Sequence, residues 1–395
     1  MDQALHGIKV LDLTRVLAGP YATMILADLG ADVIKIEMPN TGDDSRAFGP
    51  FVGEESAYFM SLNRNKRSIT LNLKSDTAKE LFIEMVKESD VIVENFRPGT
   101  MEKLGLGYDD LKKINPRIIY AASSGFGHTG PYSKRAAYDG VVQAMGGIMS
   151  ITGEKNGKPT RVGPSIGDIA AGMFTSIGIL AALQYRNTSG VGQKVDVAML
   201  DCQVAMLENA ISRYVVTGEV PGPAGNRHSS IVPFEPFETV DGEIMIAAGN
   251  DVLWAKLCEV MERNDLVEHE LFKTNALRNN NYDELRPLIA ESIKTKSTGQ
   301  WQEILDKAGV PNGPINTVDK VLEDPQVIAR DMIVEIEHPV AGKLKMPGVP
   351  IKLSKTPGAV RRPAPVLGQH TDEILKEVLG LSEEKINKLR EANIF

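Results

Sequence analysis

Cysteine is almost missing from this chain: two residues, Cys202 and Cys258, among 395. They show no metal-ligand spacing, and two thiols make no disulfide framework. A bound metal and the stapled folds of small secreted domains are therefore not expected. The opening residues, Met1-Asp2-Gln3-Ala4-Leu5-His6, lack the basic-then-apolar order of an export signal, so the expected location is cytoplasmic. Long hydrophobic runs are equally scarce. Residues 169–185 form the one candidate membrane span; it is short, contains Thr175, Ser176 and Gln184, and has no partner segment. A buried core helix explains it better. No three-glycine fingerprint follows the first apolar segment, where Thr14-Arg15-Val16-Leu17-Ala18-Gly19-Pro20 stands, and no Walker lysine motif occurs. Classical NAD or ATP binding is not expected. The net charge of −8 removes any chain-wide attraction to nucleic acid or an anionic membrane, while leaving room for a local basic pocket.

What is present is an ordinary globular composition, 42% hydrophobic and 24% charged, with length enough for two or three domains. Short apolar strands are expected at 8–13, 32–36, 67–73, 91–95 and 118–122. Helices alternate with them, one running through Leu29 and one over 76–87. In the latter, Ala78, Leu81, Phe82, Met85 and Val86 recur at helical spacing. Such alternation predicts an α/β fold, a doubly wound parallel sheet of Rossmann-like type, with ligands at the carboxyl ends of its strands. The large domain is expected over 1–200, followed by a linker at 201–224 rich in Pro and Gly. A smaller α+β domain follows over 225–320. It opens on a hairpin, 237–247, with an Asp241-Gly242 turn, and carries helices at 251–261, 282–292 and 298–308. The remainder, 321–395, is expected to pack back on the large domain, with strands at 333–338 and 349–353 and a helix at 372–379.

One carboxylate draws attention. Asp168, in Gly163-Pro164-Ser165-Ile166-Gly167-Asp168, stands where a loop hands over to the long apolar helix. A helix start offers unpaired N–H groups and the positive end of the macrodipole, which favour an ionised carboxylate. Such a group serves either as a helix cap or as a nucleophile. Basic residues gather in the loops expected along one sheet edge: Arg15, Arg64, Lys66, Arg67, Lys74, Arg97, Lys103, Lys134 and Arg135. Their grouping points to an anionic, phosphate-bearing ligand.

An ordered set of segments carries a resemblance. It comprises Gly7-Ile8-Lys9-Val10-Leu11-Asp12-Leu13, Ala18-Gly19-Pro20, Gly30-Ala31-Asp32-Val33-Ile34-Lys35-Ile36-Glu37, Asn65-Lys66-Arg67-Ser68, Val93-Glu94-Asn95-Phe96-Arg97-Pro98-Gly99, Ser124-Gly125-Phe126-Gly127, Gly190-Val191-Gly192-Gln193-Lys194-Val195-Asp196 and Leu367-Gly368-Gln369-His370-Thr371. Together they resemble the class III, CaiB/BaiF-type CoA-transferases nearly end to end. The resemblance implies that family's fold, in which two ring-shaped chains interlock as a homodimer. It implies coenzyme A and acyl-CoA as substrates, with no permanently bound cofactor. It makes Asp168 the nucleophile, passing through an aspartyl anhydride and an aspartyl-CoA thioester to a small carboxylic acid acceptor.

By the same resemblance Val16, Leu17, Ala18, Leu71, Asn72, Lys74, Asn95, Phe96, Arg97, Lys103 and Arg135 bind CoA, and Tyr138 and Asp139 flank the thioester end. Oxyanion donors are expected from Ala18-Gly19 or Ala248-Gly249. Departures exist. Leu17 replaces a glutamine of formyl-CoA transferase, Met38 replaces an arginine, and that enzyme's glycine-rich substrate loop is missing, so oxalate with formyl-CoA is not the expected pair. The α-methylacyl-CoA racemases are a second similar group, but need a histidine where this chain has Tyr138; His128 is the nearest substitute. A third possibility is an acyl-CoA-binding protein that keeps the fold without the chemistry.

Overall fold

The computed structural model describes residues 3–395, without the side chain of Glu208. The chain forms two compact units. The first gathers the residues up to Met149, Arg161–Glu219 and Pro325–Phe395; the second gathers Ser150–Thr160 and Val220–Asp324. The tail from Pro325 thus belongs to the first unit, while 150–160 joins the second.

The first unit is built on six strands: β1 (Lys9–Asp12), β2 (Asp32–Glu37), β3 (Lys66–Thr70), β4 (Val91–Glu94), β5 (Ile119–Ser124) and β6 (Lys194–Ala198). They pair in the order β3-β2-β1-β4-β5-β6, every register parallel. Alternate residues serve opposite faces of the sheet. Leu11, Ile34, Ile69, Ile92 and Tyr120 join Phe82 and Met85 of helix α3 (Asp76–Lys87) in one core. Val10, Val33, Val93 and Ala121 pack with Ala27 of α1 (Ala18–Asp28) and Ile179 and Ala182 of α5 (Ile166–Ser189) in the other. Burial on both faces explains why these strands read as continuous apolar runs. Between these helices lie α2 (Ala57–Leu62) and α4 (Asp139–Met145). The sheet order reverses between β1 and β4, so their following loops part and leave a crevice.

The tail is fastened by residues of the Asn65-Lys66-Arg67-Ser68 segment. Asn65 accepts the Arg361 and Arg362 N–H groups at 2.6 and 3.0 Å. Arg67 reaches Glu373 and Glu377, on helix α6 (Thr371–Glu377), at 2.8 and 2.7 Å.

Differences from expectation have local causes. The strand expected over 67–73 stops at Thr70, because Asn72 turns the chain by accepting Ser75 N–H. The strand expected at 349–353 does not form. The tail hairpin pairs Ile333–His338 with Gly342–Pro347, and Pro350, without an N–H, cannot extend a ladder. The edge strand β6 and the closing helix Glu383–Glu391, capped by Ser382, were not anticipated. In the second unit, the hairpin appears as Phe234–Glu238 and Glu243–Ala247, with Thr239 N–H on Gly242 O. The helices Asp251–Val260, Tyr282–Ile293 and Thr298–Ala308 follow as expected. Trp254, Trp301, Phe237 and Ile289 fill its core.

Candidate active site

Asp168 is the third residue of α5, and it does not cap its helix. The N-cap is Ser165, whose side chain makes no capping bond. The capping work comes from outside the helix: Asp139, the first residue of α4, accepts the Gly167 N–H at 2.9 Å and the Gln143 amide at 2.8 Å. The Asp168 carboxylate is left free of its own helix; Ala18 lines the same cleft, and its backbone N–H favours the ionised form of Asp168. Ala18 opens α1, so its N–H has no partner within that helix.

The two helix starts meet because α1 and α5 cross on small residues. Ser176 Oγ donates to Ala22 O at 3.1 Å, and a Cβ added to Gly172 would stand 2.7 Å from Ala18 O.

The expectation that the helix start favours the ionised form is reversed. Burial, and then the nearby charge of Asp139, push the Asp168 carboxyl up to about 7, with the Ala18 N–H pulling partly back. The phenol of Tyr58, on α2, is raised by its own burial and then by the charge of Asp168. Tyr58 was missed by the sequence analysis. Nothing in Ala57-Tyr58-Phe59 marks it, because its nearness to Asp168 is made by the fold.

Asp168 lines a cleft of about 380 Å³ with Arg15, Val16, Leu17, Ala18, Asn95, Phe96, Arg97, Ser123 and Tyr138 among its walls. A neighbouring cavity of about 360 Å³ shares Arg15, Phe96 and Thr100 with it. Its walls add Leu13, Ile36, Met38, Leu71, Leu73 and Leu104, with Lys74 and Lys103 as cations. The Arg15 guanidinium lies 4.9 Å over the Phe96 ring, where the two spaces adjoin.

Not every candidate is brought there. Asn72 lines neither cavity and accepts Lys74 N–H at 3.2 Å. Arg135 lies over the rings of Phe126 and Tyr132, at 5.4 and 4.6 Å. Asp139 is buried and occupied as a cap, whereas Tyr138 is 78% exposed. Asn95 spends both amide atoms on the Arg15 backbone, at 2.8 and 2.7 Å. Three residues of the basic group are consumed by ion pairs: Arg64 and Lys66 by the buried carboxylates of Asp28 and Asp12, and Arg67 by Asp32 along with Glu373 and Glu377 of the tail. They are corrected from ligand candidates to framework. Ala248 N–H is spent on Pro233 O, so it is no free oxyanion donor.

His128 lies elsewhere. Its Nδ1 is 3.0 Å from Lys194 Nζ, its backbone N–H donates to Asp196, and its Nε2 is 3.6 Å from Glu94. It is not among the residues lining the Asp168 cleft. The arrangement therefore contains one candidate nucleophile, a backbone N–H that favours its ionised form, and a basic, apolar-walled approach. Among the described residues it offers no histidine to work opposite Asp168.

The profile of CoA-transferase family III matches residues 5–371. The chain belongs to this family. Human succinyl-CoA:glutarate CoA-transferase is 43% identical over 391 residues, covering 99% of this chain and 89% of its own. Acetyl-CoA:oxalate CoA-transferase of Acetobacter aceti is 44% identical, covering 94% and 95%. A CaiB/BaiF family protein from Brucella suis, known by crystal structure, superimposes with a TM-score of 0.85 at 40% identity, covering 96% of this chain and all of that one. The family III CoA-transferase expected from the ordered segments is thus what the chain is, and its α/β fold agrees.

Proposed function

We propose that this family III CoA-transferase moves CoA from an acyl-CoA to a small carboxylic acid by way of covalent intermediates on Asp168. The observation that carries the proposal is a carboxylate freed from capping by Asp139 and lining a cleft beside the start of α1, with its carboxyl raised to about 7. A carboxylate of higher basicity is a stronger nucleophile.

The steps balance. The Asp168 carboxylate attacks the thioester carbonyl; the C–S bond breaks, giving a mixed anhydride and CoA thiolate. The thiolate attacks the aspartyl carbonyl, forming aspartyl-CoA and releasing the donor acid. The acceptor carboxylate attacks this thioester, forming a second anhydride and freeing the thiolate. Attack of the thiolate on the acceptor acyl carbonyl gives the new acyl-CoA and restores Asp168. When the thiolate attacks the aspartyl carbonyl, negative charge develops on an oxygen of Asp168 itself, the group the Ala18 N–H already addresses. A preformed donor at such an oxygen contributes roughly 3 kcal/mol.

The adjoining cavity suits the nucleotide end of CoA. Apolar walls face the base, and Lys74, Lys103 and Arg15 are at hand for phosphates. Leu71 and Phe96 complete the walls and Arg97 lines the Asp168 cleft beside them, while Asn72 and Arg135 act on the CoA only through neighbours. For the acceptor, small dicarboxylic acids come first, because the curated relatives are named for succinyl-CoA with glutarate and acetyl-CoA with oxalate. An interlocked homodimer is part of the same proposal. The outer face of α5 leaves Met173, Phe174 and Ile177 exposed, and the helix Glu208–Thr217 leaves Tyr214, Val215 and Val216 exposed. These are apolar surfaces that a second copy would cover.

Incubation with succinyl-CoA, followed by borohydride and mass analysis of the Asp168 peptide, tests the chemistry. A mass change on that peptide, missing in Asp168→Ala, is expected. An unmodified peptide at saturating acyl-CoA sinks the covalent scheme. A matrix of CoA donors against carboxylate acceptors then identifies the pair.

A further inference from the structure

The loop that delivers Ala18 to Asp168 is held by side chains from four strands and the segments after them. Thr14 N–H donates to Asp12 Oδ1 at 2.9 Å, and Thr14 O accepts from Lys35 Nζ at 2.8 Å. The Arg15 N–H and C=O are both taken by Asn95. Val16 N–H donates to Asp43 Oδ1 at 3.0 Å. Val16 itself has φ of 68°, a left-handed conformation that a β-branched residue adopts only under constraint. The constraint is buried and charged. Asp43 Oδ2 stands 2.9 Å from Lys35 Nζ, with both side chains at most 1% exposed. Lys66 Nζ stands 3.0 Å from Asp12 Oδ2, with both side chains fully buried. Burial pushes the Asp43 carboxyl up, but Lys35 and the N–H donors of Ser45 and Val16 outweigh it and hold it well below the ordinary carboxylate range.

We propose that Asp43 and Lys35 are positioning residues for catalysis: their buried pair holds Val16 left-handed and so aims the Ala18 N–H at Asp168. The inference rests on the nucleophile role proposed above for Asp168. Asp43 and Glu37 also line the adjoining cavity. Asp43 therefore belongs at once to the nucleotide space and to the loop that reaches the reacting carboxylate. Neither Asp43 nor Lys35 touches the reacting atoms.

The charged and titratable groups facing Asp168 are Asp139 from α4 and Tyr58 from α2, with Arg15, Asp44, Arg97 and Tyr138 along the cleft. None of these is replaced in the variants that follow, and loss of the Asp43 charge by itself lowers the Asp168 titration, so a rise reports the Ala18 N–H.

The test compares wild type with Asp43→Ala, Asp43→Asn and the double variant Val16→Gly/Asp43→Ala, by steady-state kinetics across pH with succinyl-CoA and glutarate. Asp43→Ala is expected to lower kcat by about ten- to a hundredfold, as misplacement near a reacting group does, with a smaller change in KM. Its acid limb in kcat/KM is expected to move to higher pH, because a donor to the ionised form is weakened. Asp43→Asn keeps an acceptor but loses the pair with Lys35, and should fall between. Glycine adopts the left-handed conformation without the cost that valine bears, so Val16→Gly should return part of kcat to Asp43→Ala. Wild-type kcat with an unmoved acid limb in Asp43→Ala overturns the proposal. So does a loss that Val16→Gly leaves untouched. If Asp43→Ala does not fold, the same two readings on Asp43→Asn decide. The mass change on the wild-type Asp168 peptide is followed in parallel: its absence overturns the nucleophile role and this inference together, whereas its presence with unmoved variants overturns this inference alone.

Discussion

Ala18 and Asp168, 150 positions apart in the chain, line one cleft, and the Ala18 backbone N–H favours the ionised Asp168 carboxylate. The pair brings together the starts of two helices, each of which has N–H groups without helical partners. Asp139 serves α5 in that capacity, and this is what separates Asp168 from an ordinary helix-capping acid.

The pH dependence follows from the raised carboxyl. Only ionised Asp168 attacks, so kcat/KM should climb with pH along an acid limb near 7. Burial is the larger cause of the shift and Asp139 the next. Asp139→Asn keeps an oxygen for Gly167 N–H while removing the like charge, so its limb should move to lower pH. A wild-type limb near 4 would contradict this account of the site.

Stability should respond in the opposite sense. The folded-state carboxyl lies above its unfolded value of 3.8, so the fold binds a proton that the unfolded chain has released. Stability is therefore lost as pH rises from about 4 to about 7, at no more than roughly 1.4 kcal/mol for each pH unit. Asp168→Asn removes this cost. The variant should melt higher than wild type at pH 8, match it more closely at pH 4.5, and transfer no CoA. Equal melting at both pH values would show that the carboxylate is not under this strain.

Gly172→Ala tests the crossing of α1 and α5. The added methyl would sit 2.7 Å from Ala18 O and 3.0 Å from the Tyr21 ring, so the helices must part. Overpacking of this kind costs about 1–3 kcal/mol, visible in urea unfolding. Because the parting lies one turn from Asp168, kcat should fall about a hundredfold. A variant with wild-type kcat would mean that the crossing tolerates the methyl.

His128→Ala should keep transfer within a few-fold of wild type, since His128 is engaged with Lys194, Asp196 and Glu94. The wild type should exchange no α-deuterium into its acyl-CoA. Loss of activity in His128→Ala accompanied by such exchange would restore the proton-abstraction alternative.

Much of the fold is written in local pattern. The buried strands show as short apolar runs, α3 shows as a helical stripe, and the Asp241-Gly242 turn marks its hairpin. Each of these depends only on neighbours in the chain. The edge strand β6 was harder, because Lys194-Val195-Asp196-Val197-Ala198 has only one fully buried residue and so no strong hydrophobic signature. Pro350 illustrates the reverse error, in which apolar residues suggest a strand that the backbone cannot pair.

For the site, the sequence alone determined the candidate nucleophile, the family and most of the residues around the cleft, because motif order and residue chemistry survive without coordinates. Tertiary structure decided what those residues do. It turned Arg64, Lys66 and Arg67 from ligand candidates into framework, gave Asp139 the cap, brought Tyr58 to Asp168 and held Val16 left-handed. It also reversed the sign of the shift on Asp168. A helix start by itself favours a charge, whereas burial and a second carboxylate oppose it, and only the folded chain sets how much of each is present.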